Sequence, residues 1–447
     1  MYIIEPQKKI PVTHEVDLCV IGGSCTGVFA AIRAARLGLR VLLVEQHNML
    51  GGTAVTGLVN IWHSLYDTEN SRQIIAGLTA ETVERLRQRD AVVQSNNRNS
   101  FYNFNPFELA ILLDEYVKEH RITLLLHTVY TGVIAEDGRL RAILVENADG
   151  RSAIKASFVI DASGNGRVAK DLAIPSYTNE TVQPPSACFY LQGDTTSLPL
   201  GKLIREHGQE FGLADDWGWH TGLAGSKDIT MRADNHVFGL CLDRADDITQ
   251  AEMEGRRQAR AFAELIKQYG DTSERYPIVG LCSHIGIRDT VHYETKFKAD
   301  ADSLLLGKRY DAPILQGTYR IDIHHSKDMG ITFRYLDGRE ETFYGKNTRS
   351  VTSNWRQRMG VSGKAATYYQ VPFDLLVVRQ YENFIPVGRM LNADEGAFGA
   401  LRVMVNLNQL GEAAGVAAYL SLHETKAVDD LDPQTVTKLL RDGGSAL

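Results

Sequence analysis

Between residues 16 and 45 the chain carries a short apolar run, a glycine-rich turn, an alanine-rich helix and a second apolar run closed by an acid. Val16 to Ile21 suits a strand buried on both faces, as in a parallel sheet. GGSCTG at 22–27 follows at once and leads into VFAAIRAARLG, where Ala30, Ala31, Ala34 and Ala35 favour helix and Gly38 stops it. Arg40 to Val44 reads as the second strand, ending at Glu45. One complete βαβ unit therefore opens the chain, and the predicted fold class is α/β with a Rossmann-like parallel sheet.

The turn Gly22, Gly23, Ser24, Cys25, Thr26, Gly27 is a near match to G-x-G-x-x-G, with Ser24 where the second glycine is expected. The first glycine permits the tight turn, the second admits a pyrophosphate to the backbone, and the third lets helix and strand pack. Phosphate charge is then met by backbone N–H groups at a helix N-terminus. Glu45 stands where a carboxylate accepts hydrogen bonds from ribose hydroxyls. Turn and acid together predict a dinucleotide site and leave NAD or FAD open.

Further along, residues 72–90 and 106–120 carry apolar positions at helical spacing. Ile122 to Leu126, Gly132 to Glu136 and Arg141 to Val145 read as strands, and the DGR turns at 137–139 and 149–151 predict a β-meander. Phe158 to Ile160 is a buried strand followed by DASGNG and a helix from about Arg167. Between 181 and 365 the pattern becomes mixed strands, long polar loops and a helix at 250–268, which predicts an inserted α+β substrate domain. The α/β style resumes with a strand at Asn383 to Val387, a loop GRMLNADEGAFGALRV and a helix from Met404 to Leu422. The expected division is 1–180 and 366–447 for the nucleotide unit, with 181–365 inserted.

A formal net charge of −7 gives no basic stripe, which disfavours nucleic acid as a partner. Five cysteines, at 19, 25, 188, 241 and 282, show neither a C-x-x-C pair nor metal-ligand spacing, and read as reduced thiols of a cytoplasmic protein. Neither a signal segment nor an uncharged apolar run of membrane-spanning length is seen.

The segment DLCVIGGSCTGVFAAIRAARLGLRVLLVEQHNMLGGTAVTG resembles the FAD-dependent oxidoreductases of the glutathione-reductase-like superfamily, specifically their bacterial FAD-dependent oxidoreductase family. The resemblance extends through NFNPFELAILLDEYVKEHRITLLLHTVYTGVIAEDGRL, FVIDASGNGRVAKDLAIP and NFIPVGRMLNADEGAFGALRVMVNLNQLGEAAGVAAYL. It implies FAD as cofactor, with Gln46 beside Glu45 and a loop Leu50 to Gly57, including Gly51, Gly52, Thr53 and Thr56, passing the pyrophosphate and ribityl chain. It places adenine-contacting backbone near Val129 and the adenosine half against Ala162, Ser163 and Gly164. Gly388 and Arg389 are implied at the pyrophosphate and ribityl side, and Leu401, Arg402, Val403 and Met404 at the entry of a helix whose N-terminus faces the isoalloxazine.

On the substrate side, HIGIRDTVHYE is similar to the family's middle motif and makes Arg288 and His292 catalytic candidates, while YRIDIHHS adds His324 and His325. Neighbouring residues of a strand point to opposite faces, so one histidine of that pair at most faces the flavin. An arginine can clamp a carboxylate or stabilise developing negative charge, and a histidine can exchange protons near neutral pH. Trp62 and His63, shortly after the LGG loop, are placed to line the pocket on the flavin's substrate face or to pack between domains, and the bland alternatives elsewhere are an Arg288–Asp289 pair joining domains and packing for Cys25. No metal is expected. With no second glycine motif and no C-x-x-C, neither an NADPH domain nor dithiol chemistry is expected, so a small substrate or an unknown acceptor exchanges electrons with FAD. Two other classes fit the same turn and acid: an NAD-binding synthase of the thiazole-biosynthesis type, and a non-redox protein keeping a structural flavin.

Overall fold

Strand Val12–Ile21 is the spine of the largest sheet, paired in parallel with Val41–Val44 on one side and Gly150–Asp161 on the other. Thr123–Leu125 extends it beyond Val41–Val44, again in parallel. The strand at 150–161 is much longer than the apolar core Phe158 to Ile160 suggests, because beside Val12–Ile21 it serves two further neighbours. Its first half pairs antiparallel with Arg139–Asn147, which continues to Val129–Glu136 as the expected meander. Its second half pairs in parallel with Phe384–Pro386, bringing the C-terminal region to the open side of the sheet. The structure is a computed structural model and describes residues 2–95, 101–216, 218–270, 275–326, 329–345 and 349–447.

Two helices cross at the level of backbone. In Met404–Glu424 a Cβ on Gly411 stands 2.2 Å from the Thr26 carbonyl oxygen, and one on Gly415 stands 2.3 Å from that of Ala30. The long helix therefore lies directly on Cys25–Arg36, with no side chain between them at these points. Arg33 and Glu412 form a buried ion pair at the crossing, and Glu412 also accepts the Leu78 N–H at 3.0 Å. A Cβ on Gly77 (φ +60°) collides with the Glu412 carboxylate, and the helix expected over 72–90 runs only from Gly77 to Arg87.

The stretch GRMLNADEGAFGALRV is not the plain loop expected from its glycines. It contains helix Glu395–Leu401, whose N-cap Asp394 accepts the Ala397 N–H at 2.7 Å. Asp at an N-cap satisfies an otherwise orphaned helix N–H and outweighs the low helix propensity of two glycines.

Between residues 181 and 365 lie two four-stranded antiparallel sheets. In one the strand order is Trp219–Gly222, Ile229–Ala233, Phe189–Gln192, Ile278–Leu281, with helix Ala245–Tyr269 packed on it. The other is a meander of Ile321–His325, Gly330–Arg334, Arg339–Tyr344 and Arg349–Asn354. A separate strand, Pro313–Gly317, pairs with Tyr369–Pro372. Ala299, Leu304, Ile314 and Ile321 bury into the same core as the helix crossing.

Candidate functional site

The glycine turn is built by three close approaches. Gly22 has φ +106° and donates its N–H to Val44 at 2.8 Å, and a Cβ on it stands 2.4 Å from the Ala162 carbonyl oxygen. No L side chain fits either the conformation or the space. The Glu45 carboxylate accepts the Gly23 N–H at 2.6 Å and the His47 N–H at 2.8 Å, so its position is locked by backbone on both sides. Gly27 packs on Gly22, where a Cβ stands 2.0 Å from the Gly22 carbonyl oxygen.

Ser24 needs no glycine conformation, since its φ of −61° and ψ of 165° are ordinary extended backbone. It is the helix N-cap, its hydroxyl accepting the Gly27 N–H at 3.4 Å. Room for its side chain comes from the Leu50–Gly57 loop: a Cβ on Gly52 stands 2.9 Å from the Ser24 Cβ. Gly51 donates its N–H to the Gly23 carbonyl at 2.7 Å, which ties the two loops together. Cys25 is buried, its thiol 3.7 Å from the Gly51 carbonyl oxygen, and burial pushes that thiol up to about 12, which makes it a packing residue.

A cavity of about 620 Å³ opens beside this turn. Its wall includes Gly22, Ser24, Cys25, Thr26, Glu45, Gln46, Gly51, Gly52, Thr53, Ala162, Ser163, Gly164, Gly388, Arg389, Arg402, Val403 and Met404. Arg288 and His324 belong to the same wall. Segments as distant in the chain as Gly22 and Met404 meet here, and the Thr56 carbonyl accepts the Ser283 N–H at 2.8 Å, drawing HIGIRD against the Leu50–Gly57 loop.

Other expected residues stand elsewhere. Gly23, Gly27, Thr56 and Gly57 lie behind the wall and shape it. Val129 is 40% exposed, and it is Thr128 and Tyr130 that line the cavity. Leu401 is fully buried at the end of its short helix. His292 is also fully buried: its Nδ1–H donates to the Leu391 carbonyl at 2.9 Å, and Nε2 lies 3.1 Å from both Asp289 Oδ1 and Asn179 Nδ2. That ring joins two segments of the fold and does not reach the cavity. Asp289 pairs with His292, and Arg288 turns away from it. His325 lies on the opposite strand face from His324, 2.9 Å from the Thr332 hydroxyl. Trp62 packs in the core against Phe29 and Phe104, whereas His63 lines the cavity.

The alternation that separates the two histidines also reveals what the sequence reading missed. On Ile321–His325, Asp322 and His324 share the cavity face, opposite Phe333 and Ile331 of the next strand. The period-two pattern D-x-H was the available signal. Tyr319 donates its hydroxyl to Asp322 Oδ2 at 2.5 Å, Arg402 reaches Asp322 Oδ1 at 3.3 Å, and His324 Nε2 lies 3.4 Å from the same oxygen. His324 Nδ1 is buried and has no partner among the described residues. Burial, reinforced by Arg288, His236 and Arg402, holds His324 well below its usual range. His63, whose ring lies 4.1 Å from that of Tyr319, is held at about 3 by burial and by Arg320. Both are neutral at pH 7.

Arg288 keeps part of its surface open to the cavity yet lies deep in the protein body. Its Nη1 donates to the Pro184 carbonyl at 2.7 Å and to the Ser186 hydroxyl at 2.8 Å, both neutral acceptors. Loss of water, with Arg402 nearby, lowers it to about 10, still a cation at neutral pH. Behind His324, at 4.8 Å between ring centroids, stands His236 paired with Asp216.

The family described as FAD dependent oxidoreductase matches residues 17–440. The chain belongs to that family. It is an enzyme of the FAD-dependent oxidoreductase class, and FAD is its cofactor. Shorter segments are similar to dihydrolipoyl dehydrogenases. One is 35% identical over 101 residues to the mitochondrial enzyme of Schizosaccharomyces pombe, covering 20% of each chain. Another is 46% identical over 48 residues to a dihydrolipoyl dehydrogenase of Manduca sexta, covering 11% of this chain and 10% of the relative. The chain thus spans a fifth or less of the length of these curated relatives. Among solved structures, a geranylgeranyl bacteriochlorophyll reductase-like protein of Thermoplasma acidophilum aligns over 96% of this chain and 83% of its own, at 12% identity and TM-score 0.48. A p-nitrophenol 4-monooxygenase of Pseudomonas putida aligns over 96% and 84%, at 11% identity and TM-score 0.46. Among the described residues no helix is long and apolar enough to cross a membrane.

Proposed function

We propose that this FAD-dependent oxidoreductase exchanges a hydride between flavin N5 and a small organic substrate, and that the 620 Å³ cavity holds both. The observation that carries the reading is one cavity wall shared by the glycine turn with its acid and by the cluster Arg288, Asp322, His324, Arg402. Its volume lies within the range of about 300–1,000 Å³ usual for ligand sites. The residues fit FAD on two further counts. Gly22 and Gly164 leave the wall without side chains, a Cβ on Gly164 standing 2.5 Å from Arg389 Nη1. The side-chain amide of Asn408, on the cavity-lining turn of Met404–Glu424, is buried with neither atom bonded among the described residues. An unsatisfied buried amide of this kind suits a polar ligand edge.

In this reading the N–H groups of the Gly22–Gly27 turn receive the pyrophosphate, Glu45 receives the ribose hydroxyls with Gln46 beside it, and Thr128 to Tyr130 border the adenine. Ala162, Ser163 and Gly164 flank the adenosine half; Gly51, Gly52, Thr53, Gly388 and Arg389 follow the ribityl side; Arg402, Val403 and Met404 bring a helix N-terminus to the ring. FAD supplies the hydride acceptor or donor. Neutral His324, whose Nε2 lies 3.4 Å from Asp322 Oδ1, is the group assigned to take the proton a substrate hydroxyl or amine loses, or to return it in the reverse direction. Arg288 orients and polarises the substrate. The glutathione-reductase-like superfamily is the further placement we favour, supported by the dihydrolipoyl dehydrogenase segments. A cytoplasmic setting is supported by five unpaired cysteines, and 181–365 is read as the substrate side.

The test is the visible spectrum of the purified protein, chromatography of the cofactor released by heat, and an anaerobic substrate screen read by flavin bleaching. Flavin bands, released FAD and bleaching by a small substrate are expected. A protein that takes up no FAD, or a holoprotein that no small organic donor or acceptor turns over, overturns the proposal.

A further inference from the structure

The substrate end of the cavity holds more positive than negative charge. Arg288, Arg320 and Arg402 line it, and of the carboxylates beside them Asp322 is shared by Arg402, Tyr319 and His324, while Glu252 is engaged by Arg256 at 3.0 Å. Among the described residues no carboxylate oxygen comes within 4.0 Å of Arg288, whose two bonds go to neutral oxygens. Arg320 lies over the Phe333 ring at 4.0 Å and the Tyr319 ring at 5.0 Å, held by aromatic faces. Removing a guanidinium from water without a counter-ion is unfavourable, so an anion entering here gains on both sides.

Both hydrogen bonds of Arg288 use Nη1, which leaves the Nε–Nη2 edge as the fork facing a ligand. That edge matches a planar carboxylate bidentately. Ile331 and Phe333 on the same wall give apolar cover to a carbon skeleton, and the backbone N–H groups suited to phosphate stand at the glycine turn instead.

We infer that the substrate is an organic acid, seated through its carboxylate on the Nε–Nη2 edge of Arg288, with Arg402 as the second cation and Asp322 as the charge that limits affinity. The inference rests on the reading of this cavity as the flavin and substrate site. Asp322 has a defined sign in it: its negative charge opposes an incoming anion, so neutralising it strengthens binding.

The experiment titrates FAD-loaded protein with acetate, succinate and benzoate at constant ionic strength, with chloride and inorganic phosphate as controls, following the flavin difference spectrum and binding heat. At least one carboxylate is expected to give saturable changes in both. Arg288→Met is expected to weaken it about tenfold or more, the loss of one charge-assisted pair, and Asp322→Asn to tighten it several-fold, each with FAD content retained. Tightening in Asp322→Asn cannot come from damage to the fold, so that variant decides the matter if Arg288→Met does not accumulate. Holoprotein with intact flavin that responds to no carboxylate, or Asp322→Asn binding no tighter, overturns the carboxylate assignment alone. Phosphate binding as tightly through the same residues replaces it with a general anion site. Protein that takes up no FAD overturns this inference together with the function it rests on.

Discussion

The glycine turn and the proposed substrate end share one cavity but are built by opposite means. At the turn, backbone approaches backbone: Gly22 against Ala162, Gly27 against Gly22, Gly411 against Thr26. Each contact requires the absence of a side chain and leaves a mark in the sequence as a glycine, even where its partner is as distant as Ala162 or Thr26. At the proposed substrate end, polar side chains from four separate segments meet in a buried space. Asp322 pairs with Arg402, burial and Arg320 keep His63 neutral, and burial and Arg402 lower Arg288. The first construction tolerates no added atoms, while the second tolerates no unbalanced charge.

The sharpest break of that comparison is Glu412→Ala, which imports the charge problem into the glycine-built frame. Arg33 is then left buried without its partner, and the variant is expected to lose about 3–5 kcal/mol in denaturant unfolding. A loss under about 1 kcal/mol means the helix crossing is not the rigid frame described here. Next is Glu45→Ala. Loss of a carboxylate acceptor for ribose, of about 1.5–3 kcal/mol, is expected to weaken FAD binding between roughly tenfold and a hundredfold, read from FAD release. Unchanged retention removes Glu45 from the ribose role.

Gly411→Val tests the steric side directly. With a Cβ 2.2 Å from the Thr26 carbonyl oxygen, the helices must separate, and a stability loss of about 1–3 kcal/mol with a looser cofactor is expected. Thermal melts of apo and FAD-loaded protein distinguish a frame defect, which lowers both, from a site defect, which narrows only the FAD-induced difference.

The smallest effect sharpens the electrostatic side. His63 is held at about 3 against an ordinary 6.5, so between these values the unfolded chain binds a proton that the folded chain refuses. Stability therefore falls as pH drops below 6.5, by up to about 2 kcal/mol between pH 6.5 and 5. His63→Gln is expected to flatten that part of the apo-protein stability profile. An unchanged slope assigns acid sensitivity to other groups.

The legible parts of the sequence follow this division. The run Val16 to Glu45 was readable because strand, turn, helix and acid are contiguous and each is dictated by its neighbours. Ser24 looked like a departure, yet it needs no positive φ and its space is made by Gly52, 28 residues later. That His292 stands away from the cavity could not be read, because a histidine near an arginine says nothing about the Leu391 carbonyl that accepts its hydrogen bond. Helix Glu395–Leu401 was hidden by its glycines, although Asp394 was there to cap it. Tyr319 and Asp322 were hard to read because their importance is a property of their meeting.

By itself, the sequence determined the parallel sheet and the glycine turn, since these rest on short-range patterns of apolar spacing and missing side chains, and its resemblance to known segments pointed to the family. Only the tertiary structure decided which histidine of the His324–His325 pair faces the cavity, that Arg288 lacks a carboxylate partner among the described residues, and that Asp322 shares a wall with Arg288, Arg320 and Arg402. The reason is physical. Steric exclusion acts over one atom's width and is written residue by residue, whereas charge balance in a buried cavity is a sum over segments that only folding brings within reach.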